Sequence, residues 1–307
     1  MPSGGATTLA APAAEAQRPR RRNYARRYAW FVVPAAAVVV AVILFPWMFT
    51  LYVSAFDWRI GGERRWVGLA NYAALLGDAR FGWAVLRTLF YTALAVVFPI
   101  VFGLAAALAF HRRFPLRGLA RAVFILPMMA TPVAVALVWT MMFHPQLGVL
   151  NWLLTTAGLP PSMWVYSAST VIPTLVLVEV WHWTPLVMLL LLGGLAALPV
   201  DPYEAAKIDG ATPWQAFRHV TLPLLMPFIV VALIIRTIDA LKAFDTIYVI
   251  TQGGPGSASE TINIFLYLQA FAFYNMGYAS AVVVVFFAII MALAALLLWT
   301  RQRVRLG

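Results

Sequence analysis

Two long stretches of this sequence contain no charged residue. One runs over residues 28–56 and the other over residues 261–300. About 20 consecutive apolar residues cross the hydrocarbon core of a bilayer as a helix, whose backbone groups bond to one another. Only 11% of the 307 residues are charged, whereas a soluble domain contains about 25%. The sequence therefore predicts an all-α integral membrane protein.

The apolar segments between the charged flanks predict about six transmembrane helices. Residues 144–170 are uncharged as well, but their Pro and Gly content is typical of a loop. The predicted spans are residues 29–53, 88–110, 122–143, 171–198, 222–243 and 280–300.

The distribution of Lys and Arg predicts how the chain is oriented. Fifteen of the 22 basic residues lie in the two terminal segments and in the loops between spans two and three and spans four and five, and five lie in the opposite loops. Because cytoplasmic loops carry the excess of basic residues, both termini are predicted to be cytoplasmic. Residues 1–27 are predicted to be a disordered, Arg-rich cytoplasmic tail. Basic residues confined to such flanks indicate contact with membrane lipid and no nucleic-acid partner.

Several kinds of chemistry are disfavoured by what the sequence does not contain. It has no cysteine, and no G-x-x-x-x-G-K-[ST] pattern that would cradle nucleotide phosphates. The four histidines are scattered, and none is paired at the i, i+4 spacing of a metal site. We therefore predict no catalytic residue, no metal site and no cofactor in this chain, and we do not expect it to be an enzyme.

The cytoplasmic loop over residues 201–223 has the pattern of two short helices joined by a sharp turn. Asp201 is predicted to cap the first helix, with Glu204 at capping-box spacing. Gly210 can adopt the left-handed conformation that ends this helix. Thr212 and Gln215 repeat the cap signal for a second helix. That helix carries an apolar face formed by Trp214, Phe217 and Val220.

The same loop resembles the EAA motif of permeases from ATP-binding cassette (ABC) importers. The pattern is E-A-A, three residues, G, nine residues, an aliphatic residue, one residue and L-P. The matching residues are Glu204, Ala205, Ala206, Gly210, Val220, Leu222 and Pro223. In that family the loop docks on a separate ATPase, so the resemblance implies ATPase contacts for Glu204, Ala205, Ala206, Asp209, Gly210, Trp214, Phe217 and Pro223. From local physics alone, a connector lying on the bilayer surface is an equally good interpretation.

Three further segments, residues 66–72, 145–151 and 239–255, resemble sugar-importer permeases. The similarity is to the maltose and glycerol-phosphate type, and to the first of its two unlike permeases. It implies a type I ABC-importer permease domain over residues 28–305, in a bacterial inner membrane, that moves a sugar or polyol. The implied partners are a second homologous permease, an ATPase dimer that holds ATP and Mg²⁺, and a periplasmic or lipid-anchored sugar-binding protein.

Ionisable residues at membrane depth are costly and mark either a pathway or a pairing between helices. Glu179 and Arg236 both lie about 10–12 Å below the outer interface at 1.5 Å per residue, so we expect them to pair. Asp239, Lys242 and Asp245 continue from Arg236 with alternating sign, which is also consistent with a structural ladder of charges. The candidate residues of a substrate path are Glu179, Trp181, Trp183, Arg236 and Asp239, with Asn263 and Gln269 as further candidates.

Two other functions stay open at this stage. One is an ABC permease for a non-sugar solute such as an amino acid or a peptide. The other is a stand-alone, ion-coupled secondary transporter, for which an inverted repeat would be the expected sign. We find no such repeat, and a stand-alone transporter leaves the two capped helices of the cytoplasmic loop unexplained.

Overall fold

The computed structural model describes residues 24–305, apart from some side chains near the two ends of that range. Residues 1–23 of the predicted tail lie outside the described residues. Its last four residues belong to the first helix, so the helical segment begins earlier than predicted.

The described residues form thirteen α-helices and one pair of two-residue strands. In chain order they are α1 (Tyr24–Ser54), β1 (Phe56–Asp57), β2 (Arg65–Trp66), α2 (Ala70–Gly77), α3 (Ala79–His111), α4 (Arg117–Met129), α5 (Pro132–Met142), α6 (Val149–Thr156), α7 (Val171–Ala196), α8 (Asp201–Ile208), α9 (Pro213–Ala216), α10 (Leu222–Leu241), α11 (Asp245–Thr251), α12 (Ile262–Tyr267) and α13 (Met276–Arg305). The strands β1 and β2 pair antiparallel.

Within residues 24–305, five helical segments are long and apolar enough to cross a membrane. They are formed by α1, α3, α7, the continuous run Pro213–Leu241 and α13. The pair α4 and α5 passes the same test when it is counted as one span. With this pair the count is six, which confirms the predicted number.

The third span is not the continuous helix that we predicted over residues 122–143. Helices α4 and α5 meet at an angle of 96°. The hydroxyl of Thr131 accepts a hydrogen bond from the backbone N–H of Ala134, and Pro132 occupies the first position of α5. A capping side chain followed by proline starts a new helix, which explains why the chain breaks here although its hydropathy is continuous.

Helix α7 is the centre of the packed helices. In its most apolar window 61% of the residues are buried, compared with 28% in α3 and 33% in the run that contains α10. A helix that is apolar on all sides is typical of a buried element. On its outer half α7 packs with Tyr91 of α3, and on its inner half with Leu225 of α10.

Helices also lie in two segments outside the predicted spans. Helix α6 lies in the uncharged loop, where the side chain of Asn151 donates to the carbonyls of Pro145 and Ser162 at 2.8 and 2.9 Å. Helices α11 and α12 lie between the last two spans. These helices are shorter than a hydropathy window, so the hydropathy pattern of the sequence does not show them.

Close packing between α7 and α10 generates a prediction at Gly194. A Cβ atom there would lie 2.6 Å from Cγ of Phe228, whereas one on the neighbouring Gly193 would meet nothing within 4 Å. We expect Gly194→Ala to destabilise the protein by about 1–3 kcal/mol through overpacking. We expect Gly193→Ala to be neutral or stabilising by up to about 1 kcal/mol. Thermal unfolding in detergent measures both, and equal shifts for the two variants would contradict this packing.

Candidate functional site

The expected pairing of Glu179 with Arg236 is confirmed. Nη2 of Arg236 lies 2.6 Å from Oε1 of Glu179, and both side chains are buried. The same nitrogen donates to the carbonyl oxygen of Ala95 at 3.5 Å. One arginine therefore connects α10 with α7 and with α3 near the middle of the packed helices.

Two further groups surround this arginine. Its guanidinium lies over the ring of Trp183, 5.0 Å from the centroid. Nη1 lies 3.9 Å from Oδ2 of Asp239, one turn further along α10. A second carboxylate and an aromatic face therefore lie against the buried guanidinium in addition to Glu179.

A cavity of about 230 Å³ opens beside the ion pair. It lies between the middle of α7, the start of α5 and the chain that leaves α10. Its walls carry three carboxylates, one lysine and two aromatic rings: Glu179, Asp239, Asp245, Lys242, Trp183 and Phe244. Such a surface can accept and donate hydrogen bonds to hydroxyl groups and can cover the apolar face of a small ligand.

The structure brings Glu179, Trp183, Arg236 and Asp239 together, but it separates Trp181 from them. Trp181 packs edge-on against Trp139 of α5 at 5.5 Å and lines a different cavity. Two residues along a helix correspond to about 200°, so Trp181 points away from Glu179. This periodicity was available in the sequence and predicts the separation.

The extended charge ladder is only partly formed. Arg236 approaches Asp239, whereas Lys242 and Asp245 lie in the cavity wall and make no ion pair among the described residues. Asn263 donates to the carbonyls of Leu241 and Ala243 at 3.0 and 3.3 Å, so its side chain is engaged at the end of α10.

Phe244 is a cavity residue that the sequence analysis did not select. Its ring stacks on Tyr248 at 5.1 Å and lies 5.2 Å from Tyr267, so the cavity wall rests on an aromatic cluster. Phe244 lies inside the segment 239–255, which resembles sugar permeases, and that location was the available signal.

The loop between α7 and α10 contains the two predicted helices, but its first cap differs. Helix α8 begins at Asp201 itself, Val200 occupies the N-cap position, and no side-chain cap bond forms there. The predicted capping by Asp201 is therefore wrong. Asp201 and Glu204 both lie in the first turn, where carboxylates interact favourably with the helix dipole. Gly210 has φ +74°, so the predicted left-handed turn is confirmed.

The second helix of the loop is continuous with the membrane span. Thr212 and Gln215 form the predicted capping box. After α9, a π-helical turn over Phe217–Thr221 leads directly into α10. The loop therefore consists of one short helix, a glycine turn and the first residues of the 29-residue helical run Pro213–Leu241.

The surface of this loop is exposed and mixed in character. No residue of α8 is buried, and the side chains of Glu204 and Asp209 make no hydrogen bond among the described residues. Ile208 is 86% exposed and Trp214 is 66% exposed. The ring of Trp214 lies 5.4 Å from the ring of Phe217 and is tilted against it. Large apolar and aromatic side chains that are exposed together are typical of a protein-binding surface.

Six apolar spans with an exposed two-helix loop between the fourth and the fifth are the features of a multi-pass membrane protein. A family model described as "Binding-protein-dependent transport system inner membrane component" matches residues 99–306. The chain belongs to this family, whose members are the permease subunits of ABC importers. This membership supports the importer permease and not the stand-alone, ion-coupled transporter.

Two relatives extend the similarity over most of the chain. The trehalose/maltose transport system permease protein MalF of Thermococcus litoralis is 39% identical over 247 residues, which cover 80% of this chain and 82% of the relative. The trehalose transport system permease protein SugA of Mycobacterium tuberculosis is 37% identical over 273 residues, which cover 88% and 87%.

A solved structure has the same fold. A chain of a bacterial ABC transporter involved in the import of the acidic polysaccharide alginate superimposes with a TM-score of 0.79 at 20% identity. The match covers 91% of this chain and 96% of that chain. The helix arrangement is therefore that of a type I ABC-importer permease.

The buried pair generates a prediction about stability. Arg236→Met leaves the Glu179 carboxylate buried without its partner, which we expect to cost about 3–5 kcal/mol. The double variant Glu179→Gln with Arg236→Met removes both charges and is expected to recover most of that loss. Lys242→Met is the control: Lys242 lies six residues after Arg236, at the C-cap of α10, and its side chain is exposed. This variant is expected to unfold like wild type. A double variant as unstable as Arg236→Met alone would contradict the pairing as the source of stability.

Proposed function

We propose that this chain is one permease subunit of an ABC importer for a sugar or polyol, in a bacterial inner membrane, with both termini in the cytoplasm. A second homologous permease completes the pathway, a dimer of ATPase subunits holds ATP and Mg²⁺, and a periplasmic or lipid-anchored binding protein delivers the solute. The observation that carries the coupling is the exposed loop over residues 201–223. The sugar class is supported by relatives whose names include trehalose and maltose.

In this proposal the loop is the contact with the ATPase. Ala205 and Ala206 are small, so another protein can approach the backbone of α8 closely, while Glu204 and Asp209 offer unpaired carboxylates. Trp214 and Phe217 provide the apolar anchor, because large aromatic side chains dominate binding energy at interfaces. Gly210 forms the turn between α8 and α9, and Pro223 lies in the first turn of α10.

The cavity beside the ion pair is the proposed substrate path. Sugars expose hydroxyl groups around their edge and C–H groups on their faces. Glu179 and Asp239 supply acceptors, Arg236 orients both carboxylates, and Trp183 supplies a ring beneath the sugar face. Trp181 is left out of this path because it lines a separate cavity. A non-sugar solute is the alternative, and it is distinguished by which compound stimulates ATP hydrolysis.

The docking surface is tested by Gly210→Pro. Proline fixes φ near −65° and removes the N–H, whereas Gly210 has φ +74° and donates to the Lys207 carbonyl. We expect the ATPase recovered with the tagged chain from mild detergent to fall by roughly tenfold or more, as for a lost hot spot. The second permease is expected to remain bound.

Gly158→Pro is the matched control for this test. Gly158 has φ +76°, donates to the Thr155 carbonyl and lies in the opposite, uncharged loop. Its variant is expected to retain the ATPase. If both variants retain it, or both lose it, the loop over residues 201–223 is not a specific docking surface.

The substrate path is tested by Trp183→Leu. The variant keeps apolar volume but loses the aromatic face, so we expect the concentration of sugar that half-stimulates ATP hydrolysis by the reconstituted complex to rise roughly tenfold. The basal rate of hydrolysis is expected to stay unchanged. Trp152→Leu is the control, since Trp152 is 62% exposed on α6. An unchanged sugar dependence in the Trp183 variant would exclude this ring from the path.

A further inference from the structure

A second cavity, on the opposite side of α7 from the ion pair, has a different chemical character. It measures about 510 Å³ and lies open between α3, α4 and α7. Phe102, Ala106, Phe124 and Trp181 form much of its wall. The hydroxyl of Thr184 in this wall already donates to the Val180 carbonyl at 2.6 Å. The cavity offers few free polar groups, so it suits an apolar occupant and not a polyhydroxylated one.

The cavity lies beside the break in the third span. Helices α4 and α5 meet at 96°, and Trp181 in the cavity wall packs against Trp139 of α5. Small Ala106 on α3 leaves additional space on the facing side. Phe102 is 52% exposed and Trp181 45% exposed, so the space opens towards the membrane surroundings of the helices.

A further cavity lies beyond this one along α3, at the basic end of the helix. Phe102, Ala106 and Ala109 are spaced i, i+4, i+7 and share one face, and Arg112 and Arg113 follow directly after the helix. A cavity of about 530 Å³ lies here, lined by Ala109 and both arginines. Both arginines are exposed, and neither forms an ion pair among the described residues. We call the two cavities, together with the α3 residues between Phe102 and Arg113, the α3 groove.

The length of the α3 groove matches one leaflet of a bilayer. Eleven residues at 1.5 Å each give about 16 Å, roughly half of a hydrocarbon core of about 30 Å. The arginines mark the interface end, because long basic side chains reach towards the headgroups. The apolar end then lies near the middle of the membrane. A surface that is basic at the headgroup level and apolar over one leaflet is complementary to a single anionic lipid.

We propose that the α3 groove binds one anionic phospholipid. The phosphate lies between Arg112 and Arg113, and one acyl chain follows Ala109 and Ala106 towards Trp181. A free phosphate would use the arginines but not the apolar walls. A partner helix would use the walls but not the paired guanidinium groups. This site is independent of the identity of the transported solute.

Native mass spectrometry of the purified full-length chain with its co-purifying subunits tests the site. The probes are phosphatidylglycerol and phosphatidylcholine with the same acyl chains. For the double variant Arg112→Gln/Arg113→Gln we expect phosphatidylglycerol binding to weaken by about 30-fold. We expect phosphatidylcholine binding to weaken less, because its choline group already neutralises the phosphate. The matched control is Arg64→Gln/Arg65→Gln, an adjacent exposed pair near β2, which should bind phosphatidylglycerol like wild type.

The apolar part of the groove is tested separately, so that the proposal does not depend on one variant. Ala106→Leu fills the wall and is expected to weaken binding of both lipids roughly tenfold. Ala122→Leu, an exposed position on α4 outside the cavity wall, is the control.

Three results would overturn the proposal. One is equal phosphatidylglycerol binding by the two arginine double variants. A second is displacement of the lipid by inorganic phosphate at similar concentration, which would indicate a free-anion site. The third is loss of a co-purifying subunit in Ala106→Leu with lipid binding unchanged, which would assign the groove to a partner helix.

Discussion

The ion pair between Arg236 and Glu179 is the interaction on which the membrane part of this protein depends. Arg236 is the largest fully buried side chain in the described part of the chain. A charge in such surroundings is tolerated only with a partner in good geometry, because removal from water is strongly unfavourable. The Arg236 guanidinium contacts Glu179 of α7 and the Ala95 carbonyl of α3. The pair therefore fixes how three spans are placed, and it orients the carboxylates that face the cavity.

Much of this arrangement follows from residue spacing. The depth of Glu179 and Arg236 in their spans predicts that they meet, since both lie a similar number of residues from the same interface. The turn at Gly210 and the capping box at Thr212 follow equally directly, because backbone φ and capping depend on neighbouring residues only. Where the physics is local, or where two positions share a depth, the sequence is sufficient.

Other features depend on information that hydropathy does not contain. The third span is apolar throughout, so its break is visible only in the cap formed by Thr131 and Pro132. Trp181 was grouped with Trp183 because the two are close in sequence, although helical rotation separates them. Asp201 has the chemistry of a cap, but the chain reaches a helical conformation one residue earlier. A shift of one residue at a helix end lies within the usual variation of helix boundaries. Lys242 and Asp245 likewise line a cavity, and the periodicity of α10 does not predict this because the helix ends at Leu241.

The continuity of the run Pro213–Leu241 has a mechanical consequence. From Trp214 to Arg236 the run rises over 22 residues, which at 1.5 Å each give a helical segment about 33 Å long. No flexible loop separates its two ends, and the π-helical turn over Phe217–Thr221 keeps the backbone hydrogen-bonded at the joint. A displacement of the aromatic end is therefore passed to the guanidinium along one continuous helical backbone. The ion pair between Arg236 and Glu179, the shortest ion pair among the described residues, therefore lies at the membrane end of this run.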